Sequence, residues 1–166
     1  MINIFFRFWR IGSVIIISLV ILFCYKSLPE SIAVGHNDQG YPINFIGKQQ
    51  FFYWAAGIVF FLNFLMDLLL SQIIKVDFKK IIPQSMWANH STALKDLLQG
   101  WFSAFLALTN TYLIFVVLGL NNINSNKNQM LDFNYNWLLI LGVVILMGLL
   151  FYLPLRILFT NPPKED

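Results

Sequence analysis

Four runs of apolar residues, separated by shorter polar segments, dominate the pattern along the chain. The runs cover about residues 11–25, 51–74, 98–120 and 137–159. A helix of about 20 residues crosses the ~30 Å hydrocarbon core of a bilayer, and in lipid a helix satisfies its own backbone hydrogen bonds. We therefore predict an all-α fold with four antiparallel transmembrane helices in one domain over residues 1–166. The predicted helices cover about residues 9–26, 51–74, 98–120 and 136–159.

The composition supports an integral membrane protein. Of the 166 residues, 58% are hydrophobic and only 11% are charged, and the mean hydropathy is +0.67. A soluble domain has about 25% charged residues, enough to cover a water-facing surface. The net charge of +3 comes from scattered residues rather than a basic stripe, so nucleic acid is not an expected partner. The single cysteine, Cys24, excludes an internal disulfide, and nothing in the chain indicates a cofactor.

The positively charged residues are distributed unevenly between the two sides of the predicted helices. Eight lie before the first apolar run, between the second and third runs, or near the end of the fourth and after it: Arg7, Arg10, Lys75, Lys79, Lys80, Lys95, Arg156 and Lys164. The other two loops hold only three, Lys26, Lys48 and Lys127. An excess of lysine and arginine marks the cytoplasmic side. We therefore expect both termini inside a bacterial cytoplasmic membrane, and the loop 27–50 and the segment NNINSNKNQ outside.

The stretch LPESIAVGHNDQG, residues 28–40, directly follows the first predicted helix. Its pattern resembles a loop of a bacterial membrane-protein domain of unknown function. That domain also forms the N-terminal part of the immunity proteins that protect bacilli from a sporulation-delaying peptide toxin. The resemblance covers about residues 15–65, and the family pattern has proline at position 33 and a histidine followed by an aromatic residue at positions 35 and 36. The matching residues are Leu28, Pro29, Glu30, Ile32, Val34, Asn37 and Gly40, with Lys48 at the place of a lysine that usually follows.

The resemblance implies a non-enzymatic, toxin-immunity-like membrane protein that contacts a partner through this outside loop. The partner would be a peptide, an envelope component or another membrane protein. The residues expected to make the contact are Leu28, Pro29, Glu30, Ile32, His36, Asn37, Gly40 and Lys48.

The same stretch also has the residue pattern of a small β-hairpin. Pro29 ends the first helix, and SIAV alternates polar and apolar residues as a short strand does. NDQG has turn chemistry, with Gly40 able to adopt positive φ, and residues 41–45 then return as a second strand. Glu30, His36 and Asp38 have an alternative interpretation as metal ligands, because imidazole and carboxylate groups bind divalent metal ions. Their spacing matches no known ligand pattern.

A second group of polar residues lies inside the predicted membrane helices. Residues four apart share one face of a helix, which describes Asn63, Asp67 and Ser71 on the second helix. Gln99, Ser103 and Asn110 share a face of the third helix, and antiparallel packing would pair Asn63 with Asn110, Asp67 with Ser103 and Ser71 with Gln99. Ser13 and Tyr152 are expected at the depth of Asp67, and we expect Tyr152 to belong to the same polar face.

This polar face has two interpretations. Polar side chains join transmembrane helices for about 0.6 kcal/mol each, so the face serves packing. An aspartate within a membrane helix is costly and often functional, so an ion or proton step at Asp67 is the alternative, in a small transporter that would work as an oligomer. A structural subunit of a larger membrane complex also stays open. No arrangement of nucleophile and base appears, so an enzyme is not expected.

Overall fold

The computed structural model describes residues 2–81 and 83–163. Within these residues the chain is mostly helical, and four helices are long and apolar enough to cross a membrane, as predicted. Lys164, one of the residues in the orientation argument, lies outside the described residues. The long helices are α1 (Ile2–Ser27), α2 (Lys48–Ile73), α5 (Ser91–Ser125) and α6 (Asn136–Phe159). Between them lie the strands β1 (Ser31–His36) and β2 (Pro42–Gly47) and the short helices α3 (Phe78–Ile81) and α4 (Met86–Asn89).

Three of the long helices extend beyond their predicted ends. α1 begins at Ile2 instead of residue 9, and α2 begins at Lys48, which places this lysine in a helix rather than in the loop. α5 has 35 residues, against the predicted range of 98–120. Hydropathy detects only the apolar part of a helix, whereas the flanking segments STALKDL and NNINS are polar and still helical. At about 1.5 Å per residue, α5 is about 52 Å long and exceeds the hydrocarbon thickness.

The largest contact between helices joins α1 and α5. Ile17, Ile21 and Cys24 of α1 are buried in one apolar cluster with Val117 of α5. The hydroxyl of Ser27 donates to Asn121 Oδ1 at 2.6 Å near one end of this contact. One side of α1 is therefore covered from Ser13 to Cys24, while its other apolar side chains stay exposed.

α6 packs against α5, and most of its surface is exposed. The indole Nε1 of Trp101 donates to the backbone carbonyl of Leu149 at 2.8 Å. Farther along the contact, the ring of Tyr112 lies over Gly142, where an added methyl group would meet the phenol oxygen at 2.6 Å. A residue without a side chain at position 142 therefore allows this close approach. The exposed apolar surface of α6 suits contact with lipid chains.

The segment between α2 and α5 is anchored by Trp87. Its side chain is buried with Leu94 and Leu98, and its Nε1 donates to the backbone carbonyl of Thr160 at 2.7 Å. This bond ties the short helix α4 to the end of α6. The three segments at this end of the molecule therefore form one packed unit.

A pair of glycine substitutions in α6 tests the contact with Tyr112. Alanine favours a helix over glycine by about 1 kcal/mol, and an alanine at Gly148 has open space, so Gly148→Ala should keep or raise the melting temperature in detergent. Gly142→Ala must displace Tyr112, and overpacking costs about 1–3 kcal/mol, so its melting temperature should fall below that of Gly148→Ala. Equal melting temperatures for the two variants would contradict the close packing.

Candidate functional site

The predicted hairpin forms between α1 and α2. β1 and β2 pair antiparallel from Ser31↔Gly47 to His36↔Pro42. The register shifts on both sides of Gly35, so that Val34 and Ile43 are extra residues in their strands. Such bulges bend a strand and redirect its side chains. The side of the hairpin on which the His36 side chain lies therefore cannot be read from the alternation of residues along β1.

Asn37 and Gly40 shape the tip of the hairpin. Asn37 Oδ1 accepts hydrogen bonds from the backbone N–H groups of Gln39 at 3.1 Å and Tyr41 at 2.8 Å. Gly40 has a φ of +81°, which L side chains rarely adopt. Its carbonyl accepts a bond from the Leu131 N–H at 2.9 Å, and a methyl group at position 40 would lie 3.0 Å from the Leu131 carbonyl oxygen. Both motif residues therefore hold the turn and its contact with the segment after α5.

A clamp by Asn124 fixes β1 to the end of α5. Its side-chain Oδ1 accepts from the Ala33 N–H at 2.7 Å, and its Nδ2 donates to the Ala33 carbonyl at 3.0 Å. The Nδ2 group also donates to the Leu120 carbonyl at 2.9 Å. Asn124 is only 3% exposed. The Asn124 amide thus forms the two hydrogen bonds with the Ala33 backbone that a neighbouring strand would otherwise form.

His36 and Ser31 form two more contacts, both with Gln129 in the segment after α5. The backbone carbonyl of Gln129 lies 2.8 Å from His36 Nε2. Because a carbonyl oxygen only accepts, Nε2 carries the proton and donates. The side chain of Gln129 donates to the Ser31 carbonyl at 2.7 Å, and Gln129 has a positive φ of 49°. The segment after α5 therefore binds β1 at both of its ends.

The remaining motif residues lie at the base of the hairpin, where it joins α1 and α2. Leu28 and Ile32 are buried in the cluster with α1, α2 and α5, and Pro29 is half-buried. Lys48 Nζ lies 3.7 Å from Glu30 Oε1 and 5.3 Å from the centre of the Tyr25 ring. The Glu30 carboxylate is mostly exposed, so this ion pair contributes little to stability.

Most of the expected contact residues thus face inward or hold the loop, and other side chains form its outer surface. The exposed apolar side chains of the hairpin belong to Val34, Tyr41, Ile43 and Phe45, each between 44% and 57% exposed. We call these four residues the outer hairpin surface. The four residues lie within one twelve-residue stretch of the hairpin, from Val34 to Phe45, and exposed apolar side chains that adjoin one another mark contact sites.

The intramembrane polar residues form contacts that differ in part from the predicted pairs. Asn63 and Asn110 bind each other as predicted, with Nδ2···Oδ1 distances of 3.1 and 3.2 Å. Asn110 is fully buried, and its Nδ2 also lies 3.5 Å from Ser13 Oγ. This cluster joins α1, α2 and α5 at one level.

The other two predicted pairs are replaced by contacts to α1 or within α2. Asp67 forms an ion pair with Arg10, with side-chain exposures of 51% and 22%, rather than a contact with Ser103. Gln99 accepts a hydrogen bond from Arg7, and Ser71 donates to the Leu68 carbonyl of its own helix. The reason is that α1 packs against both α2 and α5. Arg10 and Arg7 therefore bind Asp67 and Gln99 in place of the predicted partners.

Tyr152 lies apart from this polar group. It is exposed on α6 and lines a cavity of about 410 Å³ between α5 and α6, together with Trp101 and Gly148. The prediction that Tyr152 joins the face of Asp67 is therefore not supported by its surroundings. Among the residues that the structure describes, no group of three or more histidine, cysteine, aspartate or glutamate side chains could hold a metal ion.

Comparison of the chain with protein-family models, with curated proteins and with solved structures gives no match. The resemblance of residues 28–40 to the immunity-protein loop therefore rests on the motif residues alone.

The Asn124 clamp gives a direct test of how the hairpin is held. Asn124→Ala leaves the buried N–H of Ala33 without its acceptor, which costs about 1–3 kcal/mol. Hydrogen exchange in detergent should therefore become at least fivefold faster for the amides of β1 and β2, while the amides of α1 should exchange as in the wild type. Asn128→Ala, at an exposed position in the same segment, is the matched control. Unchanged exchange in the hairpin of Asn124→Ala would show that the clamp does not hold it.

Proposed function

We propose that this chain is a non-enzymatic, multi-pass protein of the bacterial cytoplasmic membrane that recognises a partner through its hairpin, in the manner of the toxin-immunity-like family. The observation that carries the proposal is the outer hairpin surface, four exposed apolar side chains on a hairpin that the chain fixes with buried hydrogen bonds. A fixed surface binds with little loss of conformational entropy. The partner class is a peptide, an envelope component or another membrane protein.

The proposal includes an antiparallel arrangement with both termini inside and the hairpin outside. Arg7 and Arg10 lie near the end of α1 that is opposite the hairpin, and Lys79 and Lys80 lie in the segment between α2 and α5. Such an excess of positive charge is typical of the cytoplasmic side. Tyr25 near the end of α1 packs against Phe52 near the start of α2, which agrees with a chain that turns back after the hairpin.

In this proposal most of the motif residues hold the hairpin, and the residues of the outer hairpin surface contact the partner. Asn37, Gly40 and His36 set the shape and position of the hairpin, while Ile43 and Phe45 are available to a partner. Specificity would therefore depend on Tyr41, Ile43 and Phe45, which lie outside the motif, and on Val34, the motif residue that belongs to the outer hairpin surface. Asn63 and Asn110 bind each other, which supports the packing interpretation over ion transport for these two residues.

The proposed orientation can be measured by cysteine labelling. The native Cys24 is buried, so it should stay unlabelled by a membrane-impermeant maleimide. Asp38→Cys, at the exposed tip of the hairpin, should be labelled in intact cells, and Met86→Cys, at an exposed position of α4, only after the membrane is opened. Labelling of Met86→Cys but not Asp38→Cys in intact cells would reverse the orientation and contradict the proposal.

The recognition surface can be tested without disturbing the hairpin. Ile43→Ser/Phe45→Ser removes two exposed apolar side chains, so the protein should keep its melting temperature and lose at least tenfold of its binding to a partner captured by the wild type from native membranes in mild detergent. Met86→Ser removes an exposed apolar side chain at the other end of the molecule and should bind as the wild type does. A partner retained equally by both variants would exclude the outer hairpin surface as its binding site.

A further inference from the structure

A cavity with two arginines lies at the opposite end of α1 from the hairpin. It has a volume of about 600 Å³, within the range of ligand sites. Three helices line it, with most of the wall from α1. Its polar lining consists of Arg7, Arg10, Gln99 and Ser103, and its apolar lining of Ile11, Val14, Ile15 and Leu70.

The polar part of this cavity carries an excess of positive charge. Arg10 forms an ion pair with Asp67, and the two charges offset each other. Arg7 donates to the neutral side-chain oxygen of Gln99, which orients the guanidinium and leaves its charge in place. A guanidinium has five N–H donors in a planar fork that matches the oxygens of a phosphate group. Arg7 therefore has donors left for an anion while it stays bound to Gln99.

The two arginines of the cavity lie in a part of α1 where charged side chains are uncommon. Arg7 and Arg10 lie inside the part of the chain that is apolar enough to span a membrane, Ile4–Ser27. Charged side chains at such positions reach toward the headgroup region or take a partner there. Asp67 is the partner of Arg10. The corresponding partner of Arg7 would have to be anionic and available at the level of lipid headgroups.

The apolar wall continues from the arginines along α1. Ile11, Val14 and Ile15 follow Arg7 and Arg10 toward the middle of the helix. Leu70 of α2 lines the cavity nearer the level of the arginines, since Asp67, three residues before it, pairs with Arg10. A ligand that fills the whole cavity therefore needs an anionic head and a hydrocarbon chain. A free phosphate ion would use only the polar end.

We propose that this cavity binds an anionic glycerophospholipid, with the phosphodiester group at Arg7 and one acyl chain along Ile11, Val14, Ile15 and Leu70. Basic pockets between transmembrane helices hold such headgroups. Arg10 contributes less to the lipid than Arg7 because Asp67 already binds it. The bound lipid would cover the gap between α1, α2 and α5. This site is separate from the hairpin, and its test does not depend on the proposed partner.

The experiment measures lipid binding to the purified full-length protein by native mass spectrometry in mild detergent. Phosphatidylglycerol and phosphatidylcholine with identical acyl chains are the two probes, and the variants are Arg7→Gln, Arg7→Lys and Lys26→Gln. Lys26→Gln removes the same charge from the other, exposed end of α1 and is the matched control. One cationic side chain near a lipid surface is worth about a fivefold change in binding.

Both lipids carry the phosphodiester, but the choline cation of phosphatidylcholine makes it neutral overall and would lie close to the two arginines. The wild type and Lys26→Gln should therefore bind phosphatidylglycerol at least fivefold more tightly than phosphatidylcholine. Arg7→Gln should lose about fivefold of the binding to phosphatidylglycerol, and Arg7→Lys should keep most of it. Equal binding of the two lipids by the wild type, or equal losses in Arg7→Gln and Lys26→Gln, would overturn the proposal. Displacement of phosphatidylglycerol by millimolar inorganic phosphate would also overturn it, because the site would then serve a free anion.

A second variant separates the cavity from its charge. Leu70→Trp adds volume to the apolar wall and leaves both arginines in place. If its elution volume in gel filtration matches the wild type, it should bind phosphatidylglycerol at least threefold more weakly. Unchanged binding in this variant would place the lipid elsewhere on the protein and contradict the acyl-chain part of the proposal.

Discussion

The packing of α1 against α5 is the contact on which the other features of this molecule depend. In lipid, a polar group without a partner costs several kcal/mol, because no water is present to satisfy it. Within the described residues, every buried side-chain nitrogen or oxygen has a hydrogen-bond partner. The α1–α5 pair supplies many of them, since Asn110 at its centre binds Asn63 of α2, and Asn124 and Gln99 near its two ends bind β1 and Arg7. If the two helices separated, the hairpin and the arginine cavity would lose their support together.

The parts of the fold that are determined by local sequence could be predicted well. Apolar runs long enough for a bilayer identify four spans, because hydropathy depends on neighbouring residues only. The hairpin could be predicted from the short strand SIAV and from the turn residues Asn37 and Gly40, and the positive φ of Gly40 is a local property of the backbone. The alternation expected in SIAV is not kept, because Ile32 and Ala33 are both buried. The pairing of Asn63 with Asn110 also follows, since it needs only that α2 and α5 are neighbours at that depth.

The missed features depend on which elements meet in space. Asn124 lies in an asparagine-rich segment that has the composition of a polar loop, and nothing nearby in the sequence indicates that it is buried against Ala33. The pairing of Asp67 with Arg10 was missed for a similar reason. Matching residues by depth assumed direct contact between α2 and α5 throughout, whereas α1 contacts both helices and Arg10 reaches Asp67. Arginines at the start of an apolar run mark the cytoplasmic end of a membrane helix whether or not they bind another helix, so their presence in the sequence does not predict this ion pair.

The roles of the motif residues change what a shared motif means for function. Asn37, Gly40 and His36 bind the backbone of the hairpin and of the segment after α5, so any chain that builds this hairpin on this helix pair has a physical reason to keep them. A partner would instead meet Ile43 and Phe45, which contribute exposed apolar surface and no hydrogen bond to the turn. Two proteins with the same motif would then share the position of the hairpin and differ in what it binds. Under the proposed function, the motif would identify a scaffold, and the exposed side chains beside its fixed residues would determine the partner.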